Sequence, residues 1–325
     1  MEGCFGASYH RCFVMAWCRT AAGCGMHYDS AVLDREYNNR ELVPDWAEHL
    51  ARWRRDSQEA RLDWPCMLDL RYGDSVTQTL DWFAPATSGQ APCLVFIHGG
   101  WWRSLDKADH SFIAPALVAR GVHVVVINYA LAPGASLREI ALDVVRALGW
   151  VWQQAERFGI DRGRIALAGH SAGGHLAAMM LACRFDWFDP ALPRQIPCGA
   201  LAISGVYDAE SVRRTPFLQR DLALTRDEAR AVSPAWLPPA GDAPLVLAVG
   251  GEEPDAYFRQ ARLMQRQWPQ AQRLVAVPRA HHFSVLDSLA QHDGLLHSRT
   301  LGLLVLERAG SPPEGGFRSE LLTAG

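Results

Sequence analysis

Apolar and polar positions change texture along the chain. From Asp45 the apolar residues fall at helical spacing: Trp46, Leu50 and Trp53 share one face, with Arg and Glu between them. Two alternating runs follow, at 66–72 and 76–83, separated by Gly73-Asp74-Ser75. That pattern predicts a β-hairpin. Beyond it come short, continuously apolar runs at 93–98, 122–128, 165–169, 200–204 and 245–250, with a weaker sixth at 274–278. Helix-like stretches at about 107–120, 137–158, 172–184 and 255–268 lie between most of them. Continuous apolar strands alternating with helices predict an α/β fold. Its central sheet is mostly parallel, with helices on both faces, and an antiparallel hairpin precedes it.

The ends differ from this middle. Residues 1–25 are rich in Cys and Gly and show no period, so they are expected to be an N-terminal extension, with Met26 as the working start. Residues 26–309 are expected to form a single domain, and the Gly/Pro/Ser-rich stretch 310–325 a loose tail. No apolar run approaches the ~18 residues needed to span a bilayer. The run at 12–18, between Arg11 and Arg19, is short for a secretion signal.

Charge and cysteine usage narrow the partners. The 32 basic and 35 acidic residues leave a formal charge of −3, without the basic stripe of a nucleic-acid binder. Lys107 is the only lysine, and the arginines are scattered. Four cysteines lie in the first 25 residues, while Cys66, Cys93, Cys183 and Cys198 are isolated, and no C-x-x-C pair exists. This usage suits a reducing cytoplasm and offers no zinc site. The expectation is a small-molecule substrate, no cofactor or metal, and no nucleic-acid or membrane partner, with a homodimer left open.

The strongest chemical signal is Gly169-His170-Ser171-Ala172-Gly173. A strand-like run precedes it and a helix-like run follows. A sharp strand-to-helix turn holds such a serine in a strained conformation with its hydroxyl exposed. The Ala172 N–H then opens a helix, where the macrodipole favours negative charge. The second signal is His98-Gly99-Gly100-Trp101-Trp102 at the end of an earlier strand. A loop of this kind donates N–H groups to an oxyanion. The expected donors are Gly100, Trp101 and Ala172. His98, Gly99, Trp101 and Trp102 are expected around the substrate pocket, with His98 also fixing the loop and one of the two tryptophans open to a core-packing role. His170 and His175 read as structural, and Asp143 as a solvated or capping residue.

With these motifs the chain resembles the α/β-hydrolase superfamily. H-G-G-W-W together with G-H-S-A-G-G looks like its kynurenine formamidase (arylformamidase) group and esterase relatives, over about 37–289. The stretch Tyr37-Asn38-Asn39-Arg40 looks like that group's N-terminal region, and Trp101 stands where lipases of the hormone-sensitive type carry a third glycine. The fold places the residues of its triad in the order Ser, acid, His. His281-His282-Phe283-Ser284 stands where the histidine loop belongs, and the group's His-Phe pair maps onto His282-Phe283. His281 is the runner-up, while His292 and His297 lie too deep in the last helix. Glu252, Glu253 and Asp255 follow the preceding strand. The group's spacing, with a Gln seven residues after the acid, selects Glu253 through Gln260 and leaves Glu252 open. The group usually has Asp there.

The resemblance implies a serine hydrolase that works through an acyl-serine, with Ser171, His282 and Glu253 as its triad. Twelve tryptophans favour aromatic pocket walls. The substrate expected is an aryl formamide, such as N-formylkynurenine, or a short-acyl ester. A broad carboxylesterase is the alternative, and a non-catalytic binding protein of this fold is the alternative of another class, opposed by the filled catalytic positions. Residues 183–243 hold one strand, loops and short helices, enough for a small cap but not for the lid of a long-chain lipase.

Overall fold

A computed structural model describes Phe13 and residues 29–305. Eight strands form one sheet: β1 (Cys66–Arg71), β2 (Thr79–Phe83), β3 (Ala91–Ile97), β4 (His123–Ile127), β5 (Ile160–His170), β6 (Gly199–Ile203), β7 (Leu245–Gly250) and β8 (Val275–Val277). Their spatial order is β1-β2-β4-β3-β5-β6-β7-β8. The pairs β1/β2 and β2/β4 are antiparallel and all others parallel. Side chains alternate across each strand, so one strand feeds two cores. Cys93, Val95 and Ile97 of β3 join one apolar layer; Leu94 and Phe96 join the other. Both faces must therefore be covered, which is why these strands read as unbroken apolar runs.

The covering helices are α1 (Ser30–Tyr37), α2 (Trp46–Asp63), α3 (Ala114–Val118), α4 (Leu137–Gln154), α5 (Ala172–Ala182), α6 (Asp255–Gln267) and α7 (Leu295–Val305). Helices α4 and α5 pack on the layer of Val95, and α2, α3 and α7 on that of Phe96. On α2, Leu50 and Trp53 are buried, as their spacing predicts. Helix α4 opens with a capping box: Glu139 N–H donates to Ser136 Oγ, and Ser136 N–H donates back to the Glu139 carboxylate. Among the described residues, no helix is long and apolar enough to cross a membrane.

Three local expectations are corrected. The hairpin turn is longer than Gly73-Asp74-Ser75, because Arg71 pairs with Thr79 and Tyr72 N–H donates to the Gln78 carbonyl at 3.0 Å. The stretch 107–120 is not one helix. It is two 3₁₀ turns, Lys107–Asp109 and Ser111–Ile113, followed by α3. Pro115 has no N–H and can only sit in the first turn, so the helix starts there. Asp143 is neither solvated nor a cap. It is buried and accepts hydrogen bonds from Gln78 Nε2 (2.7 Å), Ala130 N (3.1 Å) and Arg146 Nη1 (2.9 Å), tying α4 to the hairpin and the loop after β4.

Of the extension expected over 1–25, only Phe13 lies among the described residues, and the tail 310–325 lies outside them. Phe13 is 1% exposed, in the apolar layer that contains Leu33 and Tyr37. Phe13→Ala is expected to cost about 3–5 kcal/mol, the usual penalty for emptying a buried aromatic site. An unchanged urea midpoint would remove Phe13 from the core.

Candidate active site

Ser171 sits between β5 and α5 with φ +56° and ψ −116°, a conformation an L-residue holds only when its surroundings impose it. The surroundings are backbone. A Cβ on Gly169 would lie 2.1 Å from the Gly173 carbonyl oxygen, and one on Gly173 2.0 Å from that of Ile97. Two glycines therefore let strand, turn and helix close up. Ser171 N–H donates to the Ile203 carbonyl at 2.8 Å, which anchors the turn on β6.

The loop after β3 is strained as well: Gly100, Trp101 and Trp102 all have positive φ, at +99°, +52° and +57°. Successive left-handed residues throw the two indoles apart. Trp101 lines the cavity that holds Ser171. Trp102 is fully buried, its ring 5.0 Å from that of His175. This corrects the expectation for Trp102, and it also corrects those for His98 and Gly99. Neither of these lines the cavity. His98 is buried and ties down its own loop, with Nδ1 2.9 Å from the Gly99 carbonyl oxygen and Nε2 3.1 Å from Asn128 Oδ1. Gly99 packs against the elbow, where a Cβ would lie 2.8 Å from the His170 carbonyl oxygen.

Glu253 and His282 meet across two loops. His282 Nδ1–H donates to Glu253 Oε2 at 2.8 Å. The other oxygen, Oε1, accepts from the Ser204 hydroxyl and, at 2.8 Å, from Gly250 N–H. The carboxylate is buried yet fully partnered, as a buried charge must be. Glu252 is exposed. His281 Nδ1 instead accepts from Phe283 N–H (3.2 Å) and Ser284 N–H (3.3 Å), folding its own loop. His281 also lies with Asp45 and His49 in a group whose ligand atoms fall within 4.8 Å of one another. With Nδ1 accepting, the neutral imidazole of His281 carries its proton on Nε2 and has no lone pair there for a metal.

Sequence reading missed the residues that hold the histidine and the N-terminal segment. The Tyr257 ring lies 4.9 Å from that of His282, at 33°. Asn39 Nδ2 donates to the Tyr257 hydroxyl at 2.7 Å. Tyr37 packs edge-on against both Trp101 (5.3 Å) and Tyr257 (5.6 Å). Its hydroxyl donates to Ser211 Oγ at 3.0 Å and accepts from Gln260 Nε2 at 3.2 Å. Burial pushes that phenol up to about 12. Gln260 Oε1 in turn accepts from the amides of Tyr207 and Asp208. Tyr37 thus stands between Trp101 and Tyr257, the residue whose ring packs on His282. The sequence signal for them is the Tyr37-Asn38-Asn39-Arg40 stretch and Gln260.

Ser171, His282, Trp101, Gly100 and the Tyr37–Arg40 segment line one open cavity of about 450 Å³, with Phe217 and Phe283 among its aromatic walls. Among the described residues, no protein acceptor takes the N–H groups of Gly100, Trp101 or Ala172.

Three buried histidines around this site are held neutral. His170 Nε2–H donates to the His282 carbonyl at 2.8 Å, and its pKa is pushed well below the usual value by burial and by the charge of His282. Burial takes His175 down to about 4 and His110 to about 3. Each takes up a proton near pH 6.5 when unfolded but not when folded. Stability is therefore intact above pH 6.5 and falls as pH drops from there toward 4. The slope is about 1.4 kcal/mol per pH unit for each histidine, and about 4 for the three together. Urea midpoints measured from pH 7.5 to 5 should fall steeply below 6.5. A flat profile would mean that these rings are protonated in the folded protein.

Comparison with known proteins agrees with this architecture. The BD-FAE family model matches residues 80–192. A kynurenine formamidase of Salmo salar is 29% identical over 255 residues, covering 75% of this chain and 84% of the relative. The Mycobacterium tuberculosis esterase LipC is 34% identical over 162 residues, 46% of this chain and 40% of the relative. Among solved structures, a putative thioesterase from Silicibacter superposes with a TM-score of 0.72 at 29% identity, covering 82% of this chain and 97% of that one. The fold is the α/β-hydrolase fold, and the chain is a hydrolase enzyme resembling formamidases and esterases.

Proposed function

We propose that the chain is a serine hydrolase that cleaves an aryl formamide or a short-acyl ester through an acyl-serine. The observation that carries this reading is the bond from His282 Nδ1–H to Glu253 Oε2 at 2.8 Å, in a histidine that shares one cavity with the strained Ser171. With Nδ1–H held by the carboxylate, Nε2 is the unprotonated nitrogen and the general base. Ser171 Oγ attacks the carbonyl carbon as His282 Nε2 takes its proton. The oxygen becomes an oxyanion facing the N–H groups of Gly100, Trp101 and Ala172, donors of a kind worth ~3–4 kcal/mol each. The tetrahedral intermediate collapses, the proton passes to the leaving aryl amine or alcohol, and a formyl- or acyl-serine remains. Water repeats the sequence with His282 as base and frees Ser171.

Aromatic walls and the likeness to kynurenine formamidases support the aryl formamide reading, with N-formylkynurenine as the reference compound. The second reading, a carboxylesterase, draws on the open cavity and on the esterase likeness. The free thiols of Cys66 and Cys93 fit a cytoplasmic setting. The test is a panel of kcat/KM values for N-formylkynurenine, p-nitrophenyl acetate and p-nitrophenyl butyrate. A formamide value at least tenfold above both esters supports the first reading, and the reverse order the second. Labelling of Ser171 by a fluorophosphonate tests the serine mechanism. An unlabelled, inactive protein would leave only a binding role.

A further inference from the structure

The mouth of the cavity is charged. Arg40, Arg103, Arg220 and Asp221 line it, three cations against one anion, in a chain whose formal net charge is −3. Their pairing is uneven. Arg103 is bound to the Asp221 carboxylate and donates to the Phe217 carbonyl at 3.1 Å. Arg220 Nε lies 3.4 Å from the other oxygen of Asp221. Among the described residues, Arg40 has no carboxylate within ion-pair distance. Its guanidinium lies 4.6 Å from the centre of the Trp46 ring. The indole face orients the cation without neutralising it. Glu36 and Glu253 are engaged elsewhere, Glu36 with Arg259 and Glu253 with His282 and Ser204.

We propose that Arg40 is the anchor for a carboxylate on the substrate, so that this residue sets a preference for anionic over neutral compounds of the same shape. A guanidinium offers two parallel N–H donors that match a carboxylate. Held at the rim of a cavity with apolar walls, its field draws anions toward the mouth. A neutral ligand would leave this cation unmatched. An anionic one gains a charge-assisted pair at little ordering cost, because Trp46 already orients the arginine.

The proposal rests on the serine-hydrolase reading, and the experiment separates the two. The probes are an aryl formamide bearing a side-chain carboxylate and the same compound with that group as a primary amide. For each, kcat/KM is measured, together with the Kd on the Ser171→Ala protein. Arg40 is exposed, so wild type should prefer the acid by about 5–10-fold, the range of one partly screened charge-assisted pair. The preference should shrink as salt is raised. Arg40→Gln should collapse it to within about threefold, chiefly through KM, Arg40→Lys should keep part of it, and Arg220→Gln most of it. An acid/amide ratio near one in wild type, or a ratio unchanged by Arg40→Gln but lost in Arg220→Gln, would overturn the assignment. Failure of fluorophosphonate labelling overturns the serine mechanism, while the Kd ratio still decides the role of Arg40.

Discussion

Ser171→Ala should leave a folded protein whose hydrolysis is reduced 10³-fold or more. The side chain is small and faces a cavity, so its removal opens no hole in the core. The proposed chemistry, in contrast, loses the only atom that would form the acyl bond. His282→Ala should cost about as much, because without its base the hydroxyl is a poor nucleophile. The double mutant should be little worse than either, since the two residues act as one unit. His281→Ala should be far milder, because that ring only caps its own loop. Measured kcat/KM values for the four variants decide the matter. Near-normal turnover by folded Ser171→Ala would refute the serine mechanism, and a dead His281→Ala would place the base one residue earlier.

Glu253→Gln should lower kcat by a factor on the order of 10²–10³. The reason is the hydrogen-bond set. The oxygen facing Ser204 and Gly250 must accept from two donors. In the variant the amide oxygen takes that place, and its NH₂ group then faces His282 Nδ1. A donor there drives the imidazole proton onto Nε2, the atom that must receive the proton of Ser171. The variant holds the ring in place but in the wrong tautomer, so kcat should fall more than KM rises. Glu252→Gln should stay within a few-fold of the parent, because Glu252 is exposed. Reversal of that order would move the acid by one position and leave the rest of the mechanism standing.

What the sequence determined by itself is local. The nucleophile turn was legible because its geometry depends on Gly169, Ser171 and Gly173 and on the strand and helix either side of them. The sheet was legible because β3 to β7 are apolar on both faces, a pattern that only a covered parallel sheet satisfies. The broken helix at 107–120 also had its cause in the chain, in Pro115. Other features depended on groups far apart in sequence. Trp101 and Trp102 are identical in type and adjacent, and only two successive positive φ angles send one to the cavity and the other into the core. Asp143 looked like a solvated helix residue until the hairpin's Gln78 arrived to bind it. Glu253 is set apart from Glu252 by Ser204, Gly250 and His282, which come from the ends of β6 and β7 and from the histidine loop. Tyr37 and Arg40 lie more than a hundred residues before Ser171, yet they line its cavity, where Tyr37 packs between Trp101 and Tyr257 of α6. Periodicity and turn chemistry act over a few residues and survive in the linear text. Partnership of buried polar groups is a contact between distant segments, and no pattern in one chain records which segments meet.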